Sequence, residues 1–353
     1  MPASRTDRKP ATCHAAGALA VVLAVVLALG VSACASEDGS GRYPFGPFDL
    51  APSQEIVGTC VQISLHNPDA LYIQSVELTT GPGFHHSNWL FVPDTAFPGN
   101  DGTFSCDERG YNEGIAAALG GVLFAQSTQS PHETQAFPAG VAVRIPPQSK
   151  LIAQIHLLDA QDVALHITPT IQLTMVAASQ VKTLLSAISF ADQALALPSH
   201  KQSRFSVECD LAPLYHQWFQ RDPDFKMYYG LAHYHALGTG LQLEAVKPDG
   251  TTAMVFTTAH RVGDTLGGPI TPSFDMTGYT RLRMTCDYSN PRDTVVGWGV
   301  GDQEMCVFLA FSDSKANWGG GTAATDPGPP TTGTDGVVSY SQSCTVFALP
   351  ADN

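Results

Sequence analysis

The sequence predicts an all-β protein arranged as two β-sandwich domains. Three observations carry that expectation. Short runs of alternating apolar and polar residues recur along the chain, and turns built from Gly, Pro and Asp separate them. At 353 residues the chain also exceeds the usual size of one domain. Hydrophobic residues make up 44%, enough to bury a core, which excludes a disordered chain.

The first segment does not belong to the fold. Arg5, Arg8 and Lys9 precede an apolar run over 15–31, the charge-then-hydrophobe order of an export signal. Val31-Ser32-Ala33-Cys34 resembles a bacterial lipobox, so residues 1–33 are expected to be removed as a lipoprotein signal peptide and Cys34 to carry the lipid. No Asp follows the cysteine, which in a cell with two membranes reads as an outer-membrane address. Residues 34–54 are rich in Gly, Ser, Pro and acidic groups and read as a flexible tether. The membrane is therefore expected to be met through the lipid anchor only.

From residue 57 the chain reads as strands. Val61, Ile63 and Leu65 alternate with Gln62, Ser64 and His66, and the runs 73–79, 151–158, 171–176, 241–246 and 282–286 have the same character. Pro248-Asp249-Gly250 is a turn, with Pro fixing φ and Gly accepting positive φ. Only 114–126 and 181–197 look helical. The boundary is expected at 198–202, where an Ala/Leu stretch gives way to Pro-Ser-His-Lys-Gln, giving domains over 55–198 and 203–353. The Gly/Thr/Pro tract 319–336 reads as a flexible insertion in the second.

Charge excludes one class of partner. With 18 Lys+Arg against 32 Asp+Glu the net charge is −14, and loss of the signal leaves −16. Such a chain lacks the basic stripe that nucleic acid requires. The acidic residues form no DxDxDG calcium loop and read as solvated faces. Cys13 leaves with the signal, so Cys60, Cys106, Cys209, Cys286, Cys306 and Cys344 remain beside Cys34. An even number in an exported chain suggests three disulfides and leaves their pairing open; the absence of CxxC gives no support to a zinc ribbon or thioredoxin-like site.

The histidines carry the chemistry. His85 and His86 are adjacent, and His233 and His235 form HxH within Gly230-Leu-Ala-His-Tyr-His-Ala-Leu-Gly238. Alternate residues of a strand face the same way, so both imidazoles of HxH can meet one metal. Adjacent residues cannot, unless a turn or bulge intervenes, and Gly81-Pro82-Gly83 stands just before the pair.

Together with Cys286-Asp-Tyr-Ser-Asn-Pro and Val296-Gly-Trp-Gly-Val-Gly-Asp-Gln-Glu-Met305-Cys306, over roughly residues 55–350, the chain resembles the copper type II, ascorbate-dependent monooxygenases, the family of peptidylglycine alpha-hydroxylating monooxygenase and dopamine beta-monooxygenase. The resemblance implies two jelly-roll domains facing each other across a solvent-filled cleft, with one copper in each. It implies His85, His86 and His156, the last in Leu151-Ile-Ala-Gln-Ile-His-Leu-Leu-Asp159, as ligands of an electron-transfer copper. His233, His235 and Met305 would then hold the oxygen-activating copper. A thioether beside two imidazoles suits Cu(I) and would be a poor choice for zinc or calcium. The resemblance also implies the pairings Cys60–Cys106, Cys286–Cys306 and Cys209–Cys344.

It departs from the family at the substrate. Ser87 follows the histidine pair where the animal members carry Met. Leu231, Val307 and Leu309 occupy positions where peptide-amidating members use Arg, Asn and Tyr to hold a carboxylate. None of the three can bind a carboxylate, which disfavours peptidylglycine and points to a small or apolar substrate. His66, His132, His166, His200, His216 and His260 match no ligand position and read as surface residues. The expected function is C–H hydroxylation of such a substrate with dioxygen and an external reductant, ascorbate in the family. The alternative, raised by the missing anchors, is a surface lipoprotein that binds copper or a cell-surface partner without catalysis.

Overall fold

The computed structural model describes residues 39–159, 161–322 and 325–351. The export signal and the lipobox, including Cys34, lie outside the described residues. The described chain is all-β with two short helices, Glu113–Leu119 and Ala212–Phe219. It forms two β-sandwiches within one compact unit.

In the first sandwich a five-stranded sheet runs in the order Gly102–Ser105, Glu55–Ser64, Ser149–Leu158, Phe84–Pro93, Gly121–Ala125. Leu151, Ala153, Ile155 and Leu157 turn its inner face onto Val76, Leu78, Ile171 and Leu173 of the opposing sheet. Its outer face is covered too. Leu90, Val92, Phe104 and Ile152 form a smaller core under the first helix with Ala116 and the Cys60–Cys106 bridge. In the second sandwich Phe205, Val207, Leu241 and Leu243 pack against Met227, Phe308, Ala310 and Ile188.

The two opposing sheets are one. Val141–Ile145 pairs in parallel with the start of Thr183–Ala191, which continues between Val307–Ser312 and Ala316–Gly321. The second-half part of this sheet is buried on both faces. Phe308 and Ala310 point into their own sandwich, while Leu309 and Phe311 join Tyr229, Leu231 and the first half's Phe137 and Leu185. This explains why Val307–Ser312 reads as a near-continuous apolar run rather than an alternation.

The same burial corrects the helical expectation for 181–197. Its Ala and Leu content favours a helix locally, but both faces are needed in the core, and the segment forms the strands Thr183–Ala191 and Ala196–Leu197. The chain accordingly passes from one sandwich to the other within this strand, pairing with Val141–Ile145 over Thr183–Leu185 and with Val307–Ser312 over Ser186–Ala191, ahead of the boundary expected at 198–202. Of 114–126 only the first turns are helical, and Gly121–Ala125 is a strand. The switch falls at Gly120, where any Cβ would collide with the Phe91 carbonyl.

The tether expectation is corrected as well. Ser40–Pro44 pairs with Thr170–Met175 and Phe48–Leu50 with Leu165–Ile167. Phe45 between them stacks edge-on against Phe48, Phe84 and Trp89, so apolar burial outweighs the polar composition of the flanks. The tract 319–336 begins as a strand: Gly319–Gly321 completes Ala316–Gly321, and glycine is required because the Phe347 ring and the Ala191 carbonyl occupy the space a side chain would take.

All three implied disulfides are present. Cys60–Cys106, Cys209–Cys344 and Cys286–Cys306 join Cα atoms 5.1, 4.6 and 6.0 Å apart. Such a framework belongs to an oxidising compartment and so to an exported chain. Replacing Cys286 and Cys306 by Ser, which opens a loop of sequence separation 20, is expected to cost about 3 kcal/mol in urea denaturation.

Candidate metal centre

His85 and His86 lie on Phe84–Pro93, and His156 lies opposite on Ser149–Leu158, paired with His86. The next pair is Leu157 with Phe84, which leaves His85 as an extra residue. This β-bulge is the device by which adjacent residues come to share a face. The ligand atoms of His85, His86 and His156 all lie within 4.8 Å of one another.

His233 ends the strand Lys226–His233, and His235 follows two residues on. Tyr234 between them turns into the second core, as alternation requires. Both imidazoles are oriented through Nδ1: His233 Nδ1–H donates to the Ser127 carbonyl at 2.9 Å and His235 Nδ1–H to the Gln303 carbonyl at 2.8 Å. These bonds fix the tautomer and leave Nε2 as the free lone pair. In the other set His156 Nε2–H donates to Glu55 at 2.8 Å, which leaves Nδ1 facing inward.

The donor set fits a soft transition metal. His86 Nδ1, His156 Nδ1 and His235 Nε2 are buried and have no hydrogen-bond partner among the described residues. Buried polar atoms are ordinarily satisfied, so three unpaired imidazole nitrogens within one cluster of histidine rings are what a missing cation would leave. Three of the imidazoles are also held neutral. Burial, then the neighbouring histidines, lowers His85 to about 3 and His86 well below its usual value. Burial, followed by His235, lowers His233 to about 4. Neutral imidazole is the ligating form.

Met305 lines the same cavity as His86, His156 and His233. Its carbonyl accepts the Tyr288 hydroxyl at 2.5 Å, and Cys306 beside it is tied to Cys286. Buried Glu304, just before it, accepts the His235 N–H at 2.9 Å and the Leu237 N–H at 2.7 Å. All six residues expected as ligands thus belong to one region. One feature departs from the arrangement the resemblance implies. The two sets are not separated by solvent: the ring centroids of His86 and His233 lie 5.3 Å apart and those of His85 and His235 6.0 Å apart.

The cleft between the halves is a cavity of about 760 Å³ on one side of the histidines. Leu231, Val307 and Leu309, the residues that replace the family's carboxylate anchors, all line it. Glu113 is its one acidic side chain among the described lining residues. It accepts from the Asn88 side-chain amide, and burial raises its carboxyl to about 6. The remaining histidines are accounted for at the surface, where His166, His200 and His216 pair with Asp49, Asp293 and Asp222.

Sequence reasoning missed Glu55, Ser127, Gln303 and Glu304. Glu304 carried a signal, being a carboxylate shortly before the apolar strand Val307–Ser312. Ser127 and Gln303 act through backbone carbonyls, which any residue supplies.

No family model matches the chain, and no curated protein does. Among solved structures it is similar to a protein described as secreted from Parabacteroides distasonis, at 10% identity over 80% of this chain and 92% of that one, with a TM-score of 0.21. The exported protein XepA of PBSX shares 8% identity over 76% and 86% of the two chains, at 0.20. The tandem CBM22 domains of Paenibacillus barcinonensis Xyn10C share 12% over 78% and 86%, also at 0.20.

Proposed function

We propose that the chain is an exported copper-dependent monooxygenase that hydroxylates a C–H bond of a small or apolar substrate, drawing two electrons from ascorbate or another external reductant. The observation that carries this reading is the set of unpartnered imidazole nitrogens at His86, His156 and His235, with Met305 lining the same cavity. His85, His86 and His156 would hold one copper, and His233, His235 and Met305 the other. Copper, when bound, supplies one-electron redox chemistry toward dioxygen.

The protein's share is orientation and exclusion of water. Glu55, Ser127 and Gln303 lock three imidazoles in the ligating tautomer. Leu231, Val307 and Leu309 offer a substrate an apolar wall with no carboxylate anchor. We further propose that Cys34 is lipidated and anchors the chain to the cell envelope, at the outer membrane where there are two.

The apolar replacements also favour a second reading, copper binding without turnover. Metal analysis together with oxygen uptake separates the two. The enzyme requires about two coppers per chain and reductant-dependent oxygen consumption during a screen of small hydrophobic and aromatic compounds. Met305→Ala and His235→Ala are expected to abolish that consumption with the fold intact. Unchanged turnover in both variants would sink the catalytic reading, and copper without consumption leaves the binder.

A further inference from the structure

We infer that the five histidines form one joint centre, in which two bound copper ions are direct neighbours and magnetically coupled. This rests on the copper reading above but goes beyond it, since the resemblance implies two isolated sites.

The imidazoles close a ring. Centroids are separated by 6.0 Å from His235 to His85, 4.4 Å from His85 to His156, 5.1 Å from His156 to His86, 5.3 Å from His86 to His233 and 5.2 Å from His233 back to His235. The two distances that cross between the sets, 5.3 and 6.0 Å, are close to the 4.4–5.2 Å found within them. The rings of one set are therefore about as near to those of the other as to their own.

The contact is built into the fold. The loop before His132–Ala136 reaches across to the second sandwich: Ser127 Oγ accepts the Leu266 N–H and Thr128 Oγ1 the Gly263 N–H, both at 2.9 Å. The Ser127 carbonyl takes His233 itself. Behind the loop, Phe137 and Leu185 share a core with Tyr229, Leu231, Leu309 and Phe311, and the sheet runs unbroken from Val141–Ile145 into Thr183–Ala191. Separating the histidine sets would break these buried bonds, divide an apolar core and part a sheet. Each is costly, so the joined arrangement is the resting one. Two like charges this close repel, so the second Cu(II) is expected to bind more weakly than the first.

The test is a Cu(II) titration of the exported chain, with bound metal measured directly and spin measured by electron paramagnetic resonance. At one copper per chain the integrated signal should equal the bound metal. At two it should fall far below the bound metal, and His235→Ala should restore a fully visible single copper. Two independent signals that together account for both ions overturn the joint centre while leaving the copper reading intact. Saturation at one copper, lost in both His156→Ala and His235→Ala, overturns it in favour of a single ion spanning both halves. Absence of copper binding sinks the underlying reading and this one with it. Circular dichroism of each variant guards against loss of fold.

Discussion

Replacement of Glu304 by alanine is expected to cost about 4 kcal/mol of stability and to weaken copper binding at His233, His235 and Met305 by roughly 10–100-fold. The carboxylate is 1% exposed and is the acceptor for two backbone N–H groups, those of His235 and Leu237. Its own backbone N–H donates to the Gly297 carbonyl at 2.9 Å, and its carbonyl accepts the Gly299 N–H at 3.0 Å. Met305 follows directly in sequence. One residue thus fixes the chain on both sides of the proposed ligand set. Alanine leaves one buried and one partly buried donor without a partner, at about 1–3 kcal/mol each. Glutamine should fall between, because its amide oxygen can serve one donor while its NH₂ opposes the other. Urea denaturation reads the stability and copper titration the affinity. Loss of stability with unchanged copper binding would show that Glu304 supports the fold without positioning the ligands.

The parts legible in the sequence were those set by local periodicity. Strands such as Leu71–Thr79 and Arg281–Asn290 keep the alternation of a sheet, and the HxH spacing places His233 and His235 on one side by geometry alone. The bulge at His85 was foreseen as a requirement of the adjacent pair and stands in the register. What was not legible depended on long-range burial. Thr183–Ala191 carries helix-favouring residues, yet it joins both sandwiches, so its second buried face has no local signature. The meeting of the two histidine sets is of the same kind. It follows from Ser127 and Thr128 bonding to residues more than a hundred positions away, through a backbone carbonyl and two hydroxyls that no spacing rule marks.

Glu133 is expected to make the metal-free protein lose stability as pH rises from about 5 to about 8. The side chain is 1% exposed, and burial, opposed by hydrogen bonds from Ser127, raises its carboxyl from 4.5 to about 7. A group whose folded value lies above its unfolded one stabilises fully below the unfolded value and stops doing so as pH passes the folded value. The separation corresponds to at most about 3 kcal/mol. His85, His86 and His233 act in the opposite sense, because lowered folded values withdraw stability as pH falls below about 6.5. The two contributions overlap, so a wild-type profile alone does not separate them. Glu133→Gln does. Its amide oxygen can still accept the Ser127 N–H, which Glu133 takes at 2.9 Å, and the histidine contribution is common to both proteins. Urea denaturation should find the two of nearly equal stability near pH 5, and the glutamine variant more stable near pH 8. A difference independent of pH would mean that the buried carboxylate ionises without penalty. Since Ser127 also accepts His233 through its carbonyl, the comparison also measures what it costs to hold the joining loop against a charged Glu133.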